Sequence, residues 1–176
     1  ENASNILQVT VMPNNKCFQY YNNQFVIGKS DQKSDILDVL FFANKNLRFA
    51  EIPPFIKRIA QNAFNYSMIE KVVISPHLVE IGDFAFHICK KLKVIEIPEN
   101  SQLQVLNHNS FYGSSLKSFY IPSHVNKIDL CAFNYCHHIR IVEIDENIDF
   151  KKTYIRSLYH CEKAIFMVPP KLRNYF

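Results

Sequence analysis

Glycine is scarce in this 176-residue chain. The three that occur, Gly28, Gly82 and Gly113, stand far apart. A phosphate-cradling loop needs several glycines within one turn, so P-loop and dinucleotide-binding readings are excluded. No stretch approaches the roughly 18–20 unbroken apolar residues of a membrane span. Long charge runs are missing too, the longest basic ones being the pairs Lys90-Lys91 and Lys151-Lys152. With a net charge of +4 that reads as a solvated surface, and no nucleic-acid partner is expected. The five cysteines are an odd and sparse set for a disulfide scaffold. The chain starts at Glu1, with no Met and no signal-like apolar core, and reads as a processed product or an excised fragment. What is plentiful is apolar: 48% of the residues are hydrophobic and 14% aromatic, as in one ordinary globular domain.

The apolar residues repeat. Ile-Pro and its variants recur at Ile52-Pro53, Ile74-Ser75-Pro76, Ile97-Pro98, Ile121-Pro122, Ile144-Asp145 and Val168-Pro169, at intervals of 22, 23, 24, 23 and 24 residues. A second marker runs out of phase with it: Ala63-Phe64, Ala85-Phe86, Ser110-Phe111, Ala132-Phe133 and Ser157-Leu158. Three residues beyond each Phe or Leu stands a small residue: Ser67, Cys89, Ser114, Cys136 and Cys161. A fourth marker precedes the strand: Leu47, Ile69, Leu92, Leu116 and Ile139. Markers in phase at this period define a solenoid. Alternate units are longer by two residues, around Glu99–Leu103 and Glu146–Phe150.

Each unit reads as a short strand ending in Ile, because the alternation there has period two. Proline stops the strand, since it has no N–H for a ladder. A returning segment follows with a second apolar pair, Ile56/Ile59, Leu78/Ile81 or Val125/Ile128. The Ala-Phe pair comes next as a tight turn or a single helical turn, and Cys or Ser closes the coil. One unit cannot bury its apolar face alone, so neighbours must stack, with strands about 4.8 Å apart in a parallel sheet. The expected fold is a mainly β solenoid with short helical or 3-10 turns. Residues 1–44 follow the pattern poorly and read as a divergent N-terminal cap. Residues 45–169 carry about five units of 22–25 residues, and 170–176 are a tail or a truncated unit.

These motifs resemble the BspA-like, or treponemal-type, leucine-rich repeat. Ile69, Val72, Ile74, Pro76, Leu78, Ile81-Gly82, Ala85-Phe86 and Cys89 match it best. Leu116, Phe119, Ile121-Pro122, Val125, Ile128, Ala132-Phe133 and Cys136 match almost as well. The segment Val26–Asp31 with Asp38–Leu47 is similar to the lead-in of BspA-like proteins of parasitic protists. The unit after Ile144 departs from the pattern, with Thr153 for Ile and Leu158 for Phe. The resemblance implies a right-handed leucine-rich-repeat superhelix with its parallel sheet on one face. It further implies a non-enzymatic, cell-surface or secreted module that adheres to host matrix or cell-surface proteins and needs no cofactor.

Residues capable of chemistry have plainer readings. Cys131, Cys136, His137 and His138 offer zinc-ligand types. Yet Cys136 fills the coil-closing slot, and Cys131 aligns with Asn62, Phe84 and Asn109, so no metal site is expected. Cys89, Cys136 and Cys161 read as buried small hydrophobes. His77 and His124 share one slot two coils apart, too far for a common metal. Glu51, Glu96 and Glu143 point outward and lack the burial that makes a general acid. Asn2-Ala3-Ser4 and Asn65-Tyr66-Ser67 are glycosylation sequons.

The repeat predicts what the outer strand face carries. One row is Glu51, Val73, Glu96, Tyr120 and Glu143; a second is Phe49, Lys71, Val94, Ser118 and Ile141; a third is Arg48, Glu70, Lys93, Lys117 and Arg140. Apolar groups exposed beside charges of both signs make a protein interface. The expected partner-binding residues are Phe49, Glu51, Lys71, Val73, Val94, Glu96, Tyr120, Ile141 and Glu143, with Tyr120 the principal anchor. The alternative is a structural or self-associating solenoid whose open end pairs strands with another copy.

Overall fold

A computed structural model of the protein describes residues 9–129, 131–148, 164–167 and 170. The sequon at Asn2, the coil around Thr153, Leu158 and Cys161, and residues 171–176 lie outside the described residues. The chain enters as an antiparallel hairpin of β1 (Phe18–Tyr21) and β2 (Phe25–Gly28). Its turn holds Asn22 and Asn23 at φ of 49° and 53°, a left-handed conformation that Asn tolerates. Strand β2 then pairs antiparallel with β3 (Val39–Ala43).

From there each full coil carries two strands. The first coil has β4 (Phe49–Glu51) and β5 (Arg58–Ile59), the second β6 (Lys71–Val73) and β7 (Glu80–Ile81). The third has β8 (Val94–Glu96) and β9 (Val105–Leu106), the fourth β10 (Ser118–Ile121) and β11 (Lys127–Ile128). Strands β12 (Ile141–Ile144) and β13 (Ile165–Met167) continue the series. The molecule is a mainly β solenoid, and no α-helix forms among the described residues.

The strand preceding each proline pairs in parallel with its counterpart, as the repeat requires. The returning segments, whose apolar pairs are fully buried, form a ladder of their own. The resulting sheet has the order β1-β2-β3-β5-β7-β9-β11. Thus the entering hairpin is welded to the returning-segment side. Val39 and Leu40 pair with Arg58 and Ile59 as if they were a returning segment themselves.

The Ala-Phe segments are hydrogen-bonded turns and not helical turns. Phe64 N–H bonds Phe86's predecessor, the Ala85 carbonyl, at 2.8 Å, and Phe86 N–H bonds the Ser110 carbonyl at 2.7 Å. Flanking N–H groups do the same, Asn62 to Asp83, Tyr66 to His87, Phe84 to His108 and Ile88 to Tyr112. These bonds make a third ladder, so stacked coils are joined on three sides. To aim those groups, the chain takes positive φ at Asn62, Phe84, Asn109 and Cys131, and again at Tyr66, Ile88, Gly113 and Tyr135. Only Asn and Gly accept this cheaply. Cys131 therefore occupies a conformational slot, which explains why Asn stands there in two other coils.

Inside, Phe64, Phe86, Phe111 and Phe133 stack in one column, with centroids 4.7, 5.3 and 5.3 Å apart. Phe25 of the hairpin meets Phe64 edge-on at 6.3 Å and ends the column. Each buried ring is worth roughly 1.5–3 kcal/mol of transfer free energy. Beside the rings runs the coil-closing column. Cys89 donates to the Phe64 carbonyl at 3.0 Å and Cys136 to the Phe111 carbonyl at 3.1 Å. Burial pushes the Cys89 thiol up to about 11, so it stays protonated and unreactive. Twenty-two residues before Ser67, Lys45 is buried in the same column and donates its ammonium to the Asn65 carbonyl. Burial lowers its pKa. Gly82 is required by close packing, because a Cβ there would sit 2.7 Å from the Ile59 carbonyl oxygen.

Candidate functional site

The outward strand face is built by alternation. In each strand the middle residue turns inward and its neighbours turn out. Ala50, Val72, Phe119 and Val142 are fully buried, and the residues on either side of them face solvent or lie half-buried. Register places the outer residues in rows. Phe49 pairs with Lys71 and Lys71 with Val94; Glu51 pairs with Val73 and Val73 with Glu96. Ser118 pairs with Ile141 and Ile141 with Ile165; Tyr120 pairs with Glu143 and Glu143 with Met167.

The rows run across two sheets rather than one. The first has the order β4-β6-β8 and the second β10-β12-β13. A single bond, Lys117 N–H to the Lys93 carbonyl at 3.3 Å, bridges them. Two features coincide at the break. Ile95 and Ile97 are only half-buried where other coils bury the same slots fully, and the bulky Phe119 replaces the aliphatic residues of neighbouring strands. The Phe119 ring reaches inward to Phe111 at 5.4 Å and Phe133 at 4.7 Å.

The first panel has bound its own charges. Arg48 pairs with Glu70 at 2.9 Å, and Lys71 pairs with Glu96 at 2.5 Å. The Lys71 ammonium also lies 6.0 Å from the centre of the Phe49 ring. Val73 is half-buried, and Phe49 and Val94 are exposed by 49% and 40%. Along the proline edge of this panel lies a cleft of about 560 Å³. Tyr21 and Gln24 of the hairpin form one wall of it, and Pro53, Pro54, Pro76 and Pro98 another.

The second panel is more apolar. Tyr120, Ile141, Ile165 and Met167 are exposed by 38%, 40%, 66% and 52%. Ile141 and Ile165 are a register pair, and Tyr120 and Met167 flank Glu143 on either side. The Tyr120 hydroxyl donates to Asp145 Oδ2 at 2.6 Å, which fixes the ring. Burial, then the bond to Asp145, pushes the Tyr120 phenol up to about 12; the same bond holds the Asp145 carboxyl below its ordinary range. Ile165 and Met167 escaped the sequence reading. Each lies 24 residues beyond its counterpart, Ile141 and Glu143, and that spacing would have found them.

Elsewhere the structure separates groups the sequence placed close together. Cys136 faces inward while His137 and His138 are exposed, and no group of three His, Cys, Asp or Glu side chains among the described residues could hold a metal ion. The Asn65 side chain bonds Asn62 at 3.1 Å and His87 at 3.3 Å, and Ser67 of its sequon is buried.

Stacked coils with strand rows outside and a Phe column inside define a leucine-rich-repeat protein. The family model for the BspA type leucine rich repeat region matches residues 12–140 in six copies, and the chain belongs to that family. Solved structures share the fold. The pneumococcal vaccine antigen PcpA superposes with a TM-score of 0.68 at 24% identity, over 78% of this chain and 33% of that one. A leucine rich cell surface protein from Faecalibacterium prausnitzii gives 0.73 at 22% identity, over 90% and 42%. The leucine rich repeat protein of T. pallidum gives 0.58 at 16% identity, over 89% and 94%. The chain therefore spans about a third and about two-fifths of the first two proteins. No curated protein matches it.

Proposed function

We propose that the protein is a non-enzymatic binding module whose outward strand face takes up a protein partner, at a cell surface or after secretion. The reading rests on one observation: Ile141 and Ile165 stand exposed as a register pair, with Tyr120 and Met167 exposed on either side of Glu143 in the adjoining row. An apolar cluster rimmed by charge is how protein interfaces present themselves. Phe49, Glu51, Lys71, Val73, Val94, Glu96 and Glu143 extend it across the first panel and supply its rim. The family, and the vaccine antigen and cell surface protein that share the fold, support adhesion to a host matrix or cell-surface protein as the role. Residues 1–44 act in this reading as the cap that closes the solenoid.

The test is capture from cell-surface and matrix extracts, using the domain and a Val94→Glu, Tyr120→Ala double variant with an unchanged melting curve. Partners held by the first bait and lost from the second support the reading. Equal recovery with both removes the strand face as the site. A second reading, self-association, is favoured by β4, which on its outer side pairs with no strand among the described residues. A mass that rises with concentration, and that falls back when a proline replaces Ala50's outward neighbour Glu51, supports that alternative.

A further inference from the structure

Basic residues that never run longer than two in the sequence are gathered by the fold. Lys90, Lys91, Lys93, Lys117, His138 and Arg140 line one cleft of about 610 Å³. They come from three successive coils, so their charges span about 10 Å at the ordinary strand spacing. Ser115, Ser118 and Ile141 complete the lining, and no carboxylate is among the lining residues. The row to which Lys93, Lys117 and Arg140 belong begins with Arg48 and Glu70, which neutralise each other at 2.9 Å. Among the described residues, no carboxylate pairs with Lys93, Lys117 or Arg140. Arg140 Nη1 donates to the His137 and Ile139 carbonyls at 3.0 and 3.1 Å. Those bonds orient the guanidinium and leave its other N–H groups for an anion.

We infer that this cleft binds a linear sulfated polysaccharide, its sulfate groups lying across the Lys93–Lys117–Arg140 row. The composition argues against the other polyanions. Lysine is depleted in the cores of protein interfaces and Tyr, Trp and Phe are enriched, whereas this cleft has four lysines and no Tyr, Trp or Phe. Single-stranded nucleic acid is held by several aromatic platforms on which successive bases stack, and the lining offers only the His138 ring. The serine hydroxyls suit a ligand rich in hydroxyl and sulfate oxygens. Ser115 Oγ already donates to the Lys90 carbonyl at 2.8 Å, so what it offers is acceptor capacity for a sugar hydroxyl, and the sulfates fall to the basic side chains. The site lies apart from the Tyr120–Met167 cluster, sharing only Ile141 with the residues proposed above for protein binding.

The experiment titrates the whole chain with a heparin octasaccharide by calorimetry, beside its desulfated form, oligo-dT, polyglutamate and anionic phosphatidylserine vesicles. The heparin octasaccharide binds in a salt-sensitive manner and the desulfated form does not. A Lys93→Ala, Lys117→Ala, Arg140→Ala variant binds at least about tenfold more weakly. A Lys16→Ala, Lys33→Ala, Lys57→Ala variant, which loses the same net charge elsewhere, keeps the affinity. Equal weakening in both variants, binding of the desulfated sugar, or no binding of heparin overturns the proposal. Oligo-dT, polyglutamate or vesicles binding as tightly as heparin overturns it in favour of a general anionic, protein or membrane ligand. Unchanged melting temperatures in both variants establish that a lost affinity is local.

Discussion

The two panels of the strand face are built on one repeat, yet they treat their outward side chains differently. In β4-β6-β8, Arg48 meets Glu70 and Lys71 meets Glu96, so most of the panel's charges are paired inside it. In β10-β12-β13, Tyr120, Ile141, Ile165 and Met167 stay in water, and Lys93, Lys117 and Arg140 crowd a cleft at the junction without a described acidic partner. Beneath the described coils of both panels runs one ring column, with Phe64, Phe86 and Phe111 in the coils of β4, β6 and β8 and Phe133 in that of β10. The fold demands the rings, the buried strand residues and the coil-closing column. It demands little of the outward slots, which leaves them free to serve the binding proposed above.

That division can be broken hardest at the shared interior. Phe111 touches Phe86, Phe119 and Phe133, and it lies under the junction. Phe111→Ala is expected to cost about 3–5 kcal/mol by chemical denaturation. It should also raise hydrogen exchange in β10 and β12 before β4 and β6, since the second panel depends on it more. Gly82→Ala strikes the first panel's side instead. The added Cβ meets backbone at 2.7–3.0 Å, and the expected loss is about 1–3 kcal/mol.

A smaller change sharpens the comparison by improving the interior alone. Ser110 takes the slot of Ala63, Ala85 and Ala132, and its buried hydroxyl has no partner among the described residues. Ser110→Ala is expected to stabilise by about 1 kcal/mol with binding unchanged, read by denaturation beside the capture assay. Cys131→Asn should stabilise by several tenths of a kcal/mol, because Asn accepts the φ of 73° more readily than Cys.

The smallest effect is electrostatic and belongs to the second panel. The Tyr120 phenol is raised by burial and by its bond to Asp145, so its contribution is complete below pH 10. It is lost as pH rises from there through about 12. The Asp145 carboxyl is lowered, so its contribution is present above the ordinary carboxylate range and lost on acidification below it. Tyr120→Phe should flatten both ends of the stability–pH curve, while Phe49→Leu in the first panel leaves its shape unchanged.

Much of this was legible in the sequence, for a physical reason. A repeat lays equivalent residues in register, so Ile-Pro, Ala-Phe and Cys/Ser spacings yield the strand rows and the inward columns directly. Features that depend on several coils at once were not legible. Two-residue strands such as Arg58–Ile59 carry no alternation of their own; stacking alone makes them a sheet. The positive φ at Phe84 and Ile88 serves bonds to the next coil, and neither residue type signals it. Phe25 gives no sign that it ends the ring column, because the hairpin lacks the Ala-Phe marker. The break between β8 and β10 follows from how Ile95, Ile97 and Phe119 pack, which spacing cannot reveal. Ile165 and Met167 were hidden by a change of motif, Val168-Pro169 for Ile-Pro, which made their strand read as the start of an unfinished coil.

The central proposal is that the second panel carries the core of the binding surface and the first panel its rim. Two equally conservative variants decide it: Phe49→Ser with Val94→Ser, and Ile141→Ser with Ile165→Ser. Both pairs lie in the same outward row, and both should fold with near-parental melting temperatures. Affinity for a captured protein partner, measured with each purified bait, is expected to fall at least about tenfold for the second pair and by less than about threefold for the first. The reverse order, or equal losses from both, would contradict the account.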